Sequence, residues 1–143
     1  MLSPMVRPAT LKDLPWMVAV LDQPYFRAYG LTLEGARRLL ERALREGEVY
    51  GAGEPLKALA WYCPKGGFGQ GYLRLLAVAE GAQGQGLGTA LMGFLLPRGL
   101  RFVLAEKENT KALAFYGRFG FQVAGELPGF VRPERTEVIL WRP

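Results

Sequence analysis

Residues 72–96 run an apolar stretch, YLRLLAVAE, into GAQGQGLGTA, with four glycines in ten positions, and then into LMGFLL. This order of strand, glycine loop and helix constrains the chain more than any other feature. Glycine forgoes about 1 kcal/mol of helix propensity per position relative to alanine, so a glycine run opening a helix is either a loose turn or a place where something approaches bare backbone. The first amides of a helix have no internal partner and their dipoles sum to about half a positive charge, which suits an anion. RFVLA at 101–105 reads as the next strand. Strand, helix, strand makes a βαβ crossover and hence a locally parallel pair.

The flanking segments extend this unit in both directions. MVRPAT is a short strand, and the helix after it takes Asp13 as N-cap, since Pro15 is tolerated only in a first turn. DQPYFRAYG at 22–30 is a loop by its Asp, Pro and Gly, and its Tyr25, Phe26 and Tyr29 either cap a core edge or contact substrate. Thr32 caps a second helix in which Leu33, Ala36, Leu39, Leu40, Ala43 and Leu44 recur at a period near 3.6. EVYGAG and LKALAWYC flank GEP, a turn signal, and read as an antiparallel hairpin leading to a third strand. Pro97 stops the helix after the glycine loop, NTKALAFYGRF is a last helix ended by Gly120, and FQVAGEL and TEVILW close the chain as strands. The expected architecture is one mixed-sheet α/β domain over residues 1–143, a length that suits a single core.

Composition excludes most other chemistries. There is no histidine, so His-based acid/base catalysis and His-ligated metal sites are out. Cys63 is the only cysteine, which removes intrachain disulfides and Cys-cluster metals, and Ser3 is the only serine. No metal site is expected, and the acid/base candidates are Glu, Tyr, Lys and a few Asp. The net charge of +5 suits an anionic ligand or a nucleic acid. Its densest basic stretch, ARRLLERALRE, interleaves Arg with Glu at helical spacing, the pattern of a solvated helix face, so no nucleic-acid partner is expected. No apolar run approaches the ~18 residues of a membrane span, and no signal-peptide core opens the chain, so the expectation is a cytoplasmic protein.

Two phosphate-binding fingerprints fail at the glycine loop. Gly81 and Gly86 have P-loop spacing, but Leu87 stands where Lys is required. A dinucleotide fingerprint from Gly84 finds Gly86 and then Thr89 in place of its third glycine, although Glu106 ends a strand some way on. The loop instead resembles that of the GCN5-related N-acetyltransferase (GNAT) superfamily, Arg or Gln, two residues, Gly, one residue, then Gly or Ala, which Gln83, Gly86 and Gly88 match. NTKALAFYGRFGFQVAG is similar to the superfamily's following segment at Asn109, Ala112, Phe115, Tyr116, Gly120 and Phe121, and VRPATLKDL looks like its first strand and helix start. Glu80 departs from the proline common there, and the loop at 22–30 matches no family pattern, as befits the part that varies to choose substrates.

The resemblance implies a mixed, mostly antiparallel sheet with a splayed central parallel pair and about four helices. It implies acetyl-CoA as co-substrate, held by the backbone of Gln83, Gly84, Gln85, Gly86, Leu87, Gly88 and Thr89, with Leu76, Ala77 and Val78 pairing with pantetheine and polarising the carbonyl. Asn109, Ala112 and Phe115 fall beside the cofactor, and Tyr116 is the residue matching the general acid. A phenol with a reference pKa near 10 is still protonated at neutral pH and can supply a departing thiolate. The base stays open: Glu106 is the first candidate, Tyr72 and Glu34 follow, and a water chain is the alternative. Tyr25, Phe26 and Tyr29 are the substrate-contact candidates. The expected activity is direct acetyl transfer to an unidentified small-molecule or peptide amine, by a monomer or homodimer. A non-catalytic acyl-CoA-binding module of the same fold and a nucleotide-binding protein are the competing classes.

Overall fold

Alternating apolar residues set the strands, and the 3.6-residue period sets the helices that pack on them. The computed structural model describes residues 4–23 and 32–143. Its strands are β1 (Val6–Pro8), β2 (Val49–Ala52), β3 (Ala58–Gly67), β4 (Gln70–Val78), β5 (Leu100–Glu106), β6 (Gln122–Pro128) and β7 (Thr136–Trp141). The helices among the described residues are α1 (Leu14–Leu21), α2 (Leu33–Arg45), α3 (Leu87–Leu95) and α4 (Thr110–Gly117). The strands form one seven-stranded sheet in the order β1-β2-β3-β4-β5-β7-β6. β4 and β5 are the parallel pair, joined through α3, while β1/β2, β2/β3, β5/β7 and β7/β6 are antiparallel. This is the mixed architecture the strand and helix order predicts.

Packing divides the chain into two compact units, Met1–Tyr62 with Leu75–Leu95 and Cys63–Arg74 with Leu96–Pro143. In the first, the Thr32 hydroxyl accepts from the Gly35 N–H at 3.0 Å and starts α2 as expected. Ala36, Leu40, Ala43 and Leu44 are the buried stripe of α2. Its outer face carries the ion pairs Glu34–Arg38, Glu41–Arg45 and Arg42–Glu46, so the basic stretch is a solvated helix face. Asp13 is the N-cap of α1 and Pro15 lies in its first turn, as expected, but the Asp13 side chain caps no amide of α1. A 3-10 turn at Leu11–Asp13 precedes it, and the Asp13 carboxylate reaches back to the Thr10 N–H at 2.8 Å and takes a two-pronged bond from Arg7 at 3.0 and 3.1 Å. Asp13 thus braces the strand-to-helix corner. α3 buries Leu87, Leu91, Met92 and Leu95, each fully buried apolar side chain contributing about 1.5–3 kcal/mol. Pro97 lies in the 3-10 turn that follows α3.

In the second unit β7 is flanked by β5 and β6. Val103 and Ala105 face Leu140 and Val138 on the buried side of this sheet segment. Phe102, Leu104 and Glu106 lie opposite Trp141, Ile139 and Glu137 on the other side. The chain leaves α4 through Gly120 at φ +90°, and Arg142 Nε donates to the Phe119 carbonyl at 2.7 Å, tying the end of the chain to that exit.

Candidate functional site

The glycine loop and the first turn of α3, which the sequence pattern marks as an anion site, lie together within the first unit. Gly81, Gly84 and Gly86 sit at φ +80°, +78° and +76°, left-handed geometry that costs an L-residue about 1–2 kcal/mol. A Cβ built on any of the three meets nothing within 4 Å, so their backbone borders open space. The Ala90 N–H closes the first helical bond on the Gly86 carbonyl at 2.9 Å, leaving the amides of Leu87, Gly88 and Thr89 without an acceptor inside the helix. Buried Ala82 and Leu87 anchor the loop, while Gly84, Gln85 and Gly86 are exposed. Gln83 Oε1 accepts from the Gly81 N–H at 3.1 Å, so this side chain braces the loop from within. Gly81 is half of that brace. A pyrophosphate suits such a cradle: amide donors, a helix N-terminus and no side chain standing in the way.

Immediately before the cradle, Leu76, Ala77 and Val78 end β4. The parallel ladder of β4 with β5 comprises Gly71–Leu73 and Leu100–Val103, so these three residues lie beyond it. The Ala79 N–H bonds the Lys57 carbonyl at 2.8 Å, and the Val78 carbonyl accepts from Gln23 Nε2 at 3.4 Å.

In the second unit, Asn109 Oδ1 accepts from the Ala112 N–H at 3.1 Å and caps α4. Ala112 and Phe115 are half-buried. Tyr116 is buried, with its ring edge-on to Phe115 at 5.2 Å and Phe121 at 5.9 Å. Glu106 ends β5 and is 9% exposed. Opposite it on β7 stands Glu137, 5% exposed, with one carboxylate oxygen, Oε2, that is buried without a hydrogen-bond partner. Burial, and then the Glu106 charge, push the Glu137 carboxyl above the ordinary glutamate value. Tyr72, its ring edge-on to Phe102 at 5.2 Å, is pushed up by burial, with the Glu137 charge adding and Arg74 opposing.

The sequence-predicted residues therefore fall in separate groups: the β4 end, loop and α3 start in the first unit, and Glu106, Asn109, Ala112, Phe115, Tyr116 and Tyr72 in the second. Glu34, the remaining base candidate, is exposed and ion-paired with Arg38. Tyr25, Phe26 and Tyr29 lie outside the described residues. Glu137 escaped the sequence reading. Its one signal is a glutamate within the apolar strand TEVILW, which becomes meaningful only with the β5/β7 register.

The acetyltransferase (GNAT) family pattern matches residues 5–121. Among solved structures, a GNAT-family acetyltransferase from Bacillus cereus is similar with a TM-score of 0.80 at 18% identity, covering 96% of this chain and 95% of that one. Ard1 from Thermoplasma volcanium is similar with a TM-score of 0.77 at 19% identity, covering 99% and 97%. A ribosomal-protein-alanine N-acetyltransferase from Brucella melitensis is similar with a TM-score of 0.70 at 26% identity, covering 95% and 97%. No curated protein matches the sequence. With a family match spanning most of its length and a fold shared with these acetyltransferases, the chain belongs to the GNAT family and is an N-acetyltransferase.

Proposed function

We propose that this chain transfers the acetyl group of acetyl-CoA directly to a primary amine. The observation that carries this proposal is the cradle: three left-handed glycines bordering open space at a helix start with unspent amides. Acetyl-CoA supplies an activated thioester; the remaining requirements fall to the chain's own groups. The amides from Gln83 to Thr89 bind the pyrophosphate. The backbone of Leu76–Val78 binds pantetheine and polarises the carbonyl, and Asn109, Ala112 and Phe115 line the cofactor. Glu106 takes a proton from the acceptor nitrogen as general base, Tyr116 Oη donates one as general acid, and Tyr25, Phe26 and Tyr29 contact the acceptor. With no histidine in the chain, a carboxylate and a phenol divide the proton transfers.

A titration with acetyl-CoA followed by thermal denaturation tests the cradle. At 100 times Kd, binding to the folded state alone stabilises by about 2.7 kcal/mol. The absence of any shift at millimolar acetyl-CoA overturns the assignment. Release of CoA across a panel of amines tests the transfer, and Tyr116→Phe is expected to lower kcat about 10²-fold or more while the KM for acetyl-CoA stays within about twofold. Wild-type kcat in Tyr116→Phe removes the tyrosine from the chemistry.

A further inference from the structure

The chain's charge is divided unevenly between its two units. The first carries eight Lys or Arg against eight Asp or Glu, and the second ten Lys or Arg against five Glu, so the whole excess of +5 sits in the second. Within the second unit the charges separate again along the strands. Glu106 ends β5 opposite Glu137, Glu108 follows it, Glu126 lies opposite Val138, and Glu134 is in the connection from β6 to β7. These glutamates gather at one end of the sheet segment, where Lys107, Arg132 and Arg135 pair with Glu126, Glu134 and Glu108. The other end, about 20 Å away along β5, holds cations and no carboxylate side chain of this unit.

At that end the Arg142 N–H donates to the Arg101 carbonyl at 2.8 Å, and Arg142 Nε reaches the carbonyl of Phe119, the neighbour of Arg118, at 2.7 Å. Arg101 Nη1 donates to the Pro143 carbonyl at 3.5 Å, and the Arg118 guanidinium lies over the Phe115 ring at 5.6 Å. Lys65 is exposed beside the turn between β3 and β4, its carbonyl accepting from the Gly69 N–H at 3.3 Å. Among the described residues none of these four cations has a carboxylate side chain as partner. The turn, Phe68-Gly69, lies at this end as well: Gly71 is in register with Leu100, and a Cβ on Gly67 would meet the Phe102 ring at 3.3 Å. Phe68 sits at φ +53°, left-handed geometry that strains a bulky side chain and that Asn or Gly adopts freely, and its ring is fully exposed. Such a ring gives the fold no packing in return for the strain, which points to a use outside the chain.

We infer that this end of the second unit docks on an anionic lipid bilayer, Phe68 entering the boundary of headgroups and acyl chains while Lys65, Arg101, Arg118 and Arg142 supply the charge. An open apolar ring amid unpaired cations matches such a surface, where apolar burial and attraction by the negative leaflet add. A nucleic acid fits less well. It asks for aromatic faces lying open in a cationic groove, whereas Tyr72 and Phe102 pack edge-on against each other at 5.2 Å and Phe68 stands between two glycines, with no polar side chain beside it to read a base. A second copy of the unit fits less well too, because its exposed glutamates are already paired. The inference is independent of the acetyl-transfer reading.

The test is co-sedimentation of the full chain with vesicles of phosphatidylcholine alone and of phosphatidylcholine with about 30% phosphatidylserine. One inserted ring and a few cations give reversible binding to the anionic vesicles, half-maximal at about 0.1–1 mM accessible lipid. Binding is expected to fall about tenfold or more without phosphatidylserine, and again when salt is raised from about 0.1 M to about 0.5 M. Phe68→Asn is expected to lower it about tenfold or more while Tm stays the same or rises, since Asn suits the left-handed turn. Lys65→Gln combined with Arg118→Gln lowers it about tenfold or more. Absence of co-sedimentation at millimolar lipid, equal binding to the two vesicles, or wild-type binding by Phe68→Asn overturns the proposal. Tighter binding of an oligouridylate than of the vesicles, lost in Phe68→Asn, assigns this end to a nucleic acid and overturns it, as does self-association in sedimentation velocity that Phe68→Asn abolishes. Should Phe68→Asn melt early, Phe68→Leu decides: vesicle binding that follows the apolar side chain upholds the proposal, and binding that follows Tm overturns it.

Discussion

Gly86→Ala separates what the cradle glycines do for the fold from what they do for the ligand. Gly86 is at φ +76°, and a Cβ added there meets no atom within 4 Å. Steric overlap contributes nothing, so the stability cost is backbone strain alone. An L-residue in the left-handed region costs about 1–2 kcal/mol, and alanine returns about 0.4–1 kcal/mol by restricting the unfolded chain. The net loss is about 0.5–1 kcal/mol, which for a chain of this size lowers Tm by about 2–5 °C. Ligand binding obeys a different rule, because the same Cβ enters the open space that borders the amides. Displacing an anion from one or two charge-assisted hydrogen bonds, each about 1.5–3 kcal/mol, weakens binding about tenfold or more. Calorimetric titration of acetyl-CoA into both proteins, alongside their melting curves, reads the two effects separately. A Tm loss of the expected size with an unchanged Kd would refute the reasoning: the glycines would then serve only the turn.

Two further predictions rest on single interactions. Asn109→Ala removes the acceptor for the Ala112 N–H and costs about 1 kcal/mol, a Tm loss of about 3–5 °C, while Asn109→Ser keeps most of the stability; equal melting of all three proteins by circular dichroism would deny Asn109 the capping role. Glu137→Gln has a pH signature of opposite sign to that of a salt-bridged acid. The folded state raises the Glu137 pKa, so wild-type stability is full below the unfolded carboxyl's value near pH 4 and falls as pH rises through the raised value. The glutamine resembles the protonated form, so its Tm advantage over wild type grows between about pH 4 and pH 7, with Glu106 and Tyr72 as the other titratable groups facing the site. A gap that stays constant or shrinks over that range contradicts the raised pKa.

What was legible in the sequence was local. Thr32 and Asn109 act within three residues of themselves, and Thr32 caps the helix that its position announced. The glycine loop was legible because strand, loop and helix are contiguous and each glycine answers to its own φ. Asp13 was legible as a helix start but not as a brace, since its partner Arg7 lies on the strand before the turn and a 3-10 segment intervenes. Glu137 was invisible for a stronger reason. Its opposition to Glu106 is set by the register of β7 on β5 across some thirty intervening residues, and a one-residue slip would turn the glutamate to the other face. Side-chain alternation places a residue on a face, whereas only pairing tells it which charge it meets.

The two halves of the proposed reaction are therefore supported by different kinds of chemistry. The cradle works through backbone amides, which carry no titratable proton and depend on φ angles that glycine alone adopts without strain. The Glu137 carboxyl, opposite the proposed base Glu106, has a charge set by burial and then by the Glu106 charge. A substitution in the loop can thus act through geometry while leaving the charge at Glu137 untouched, and a substitution at Glu137 does the reverse. Backbone recognition suits a donor common to a whole family, because it survives wide divergence of side chains.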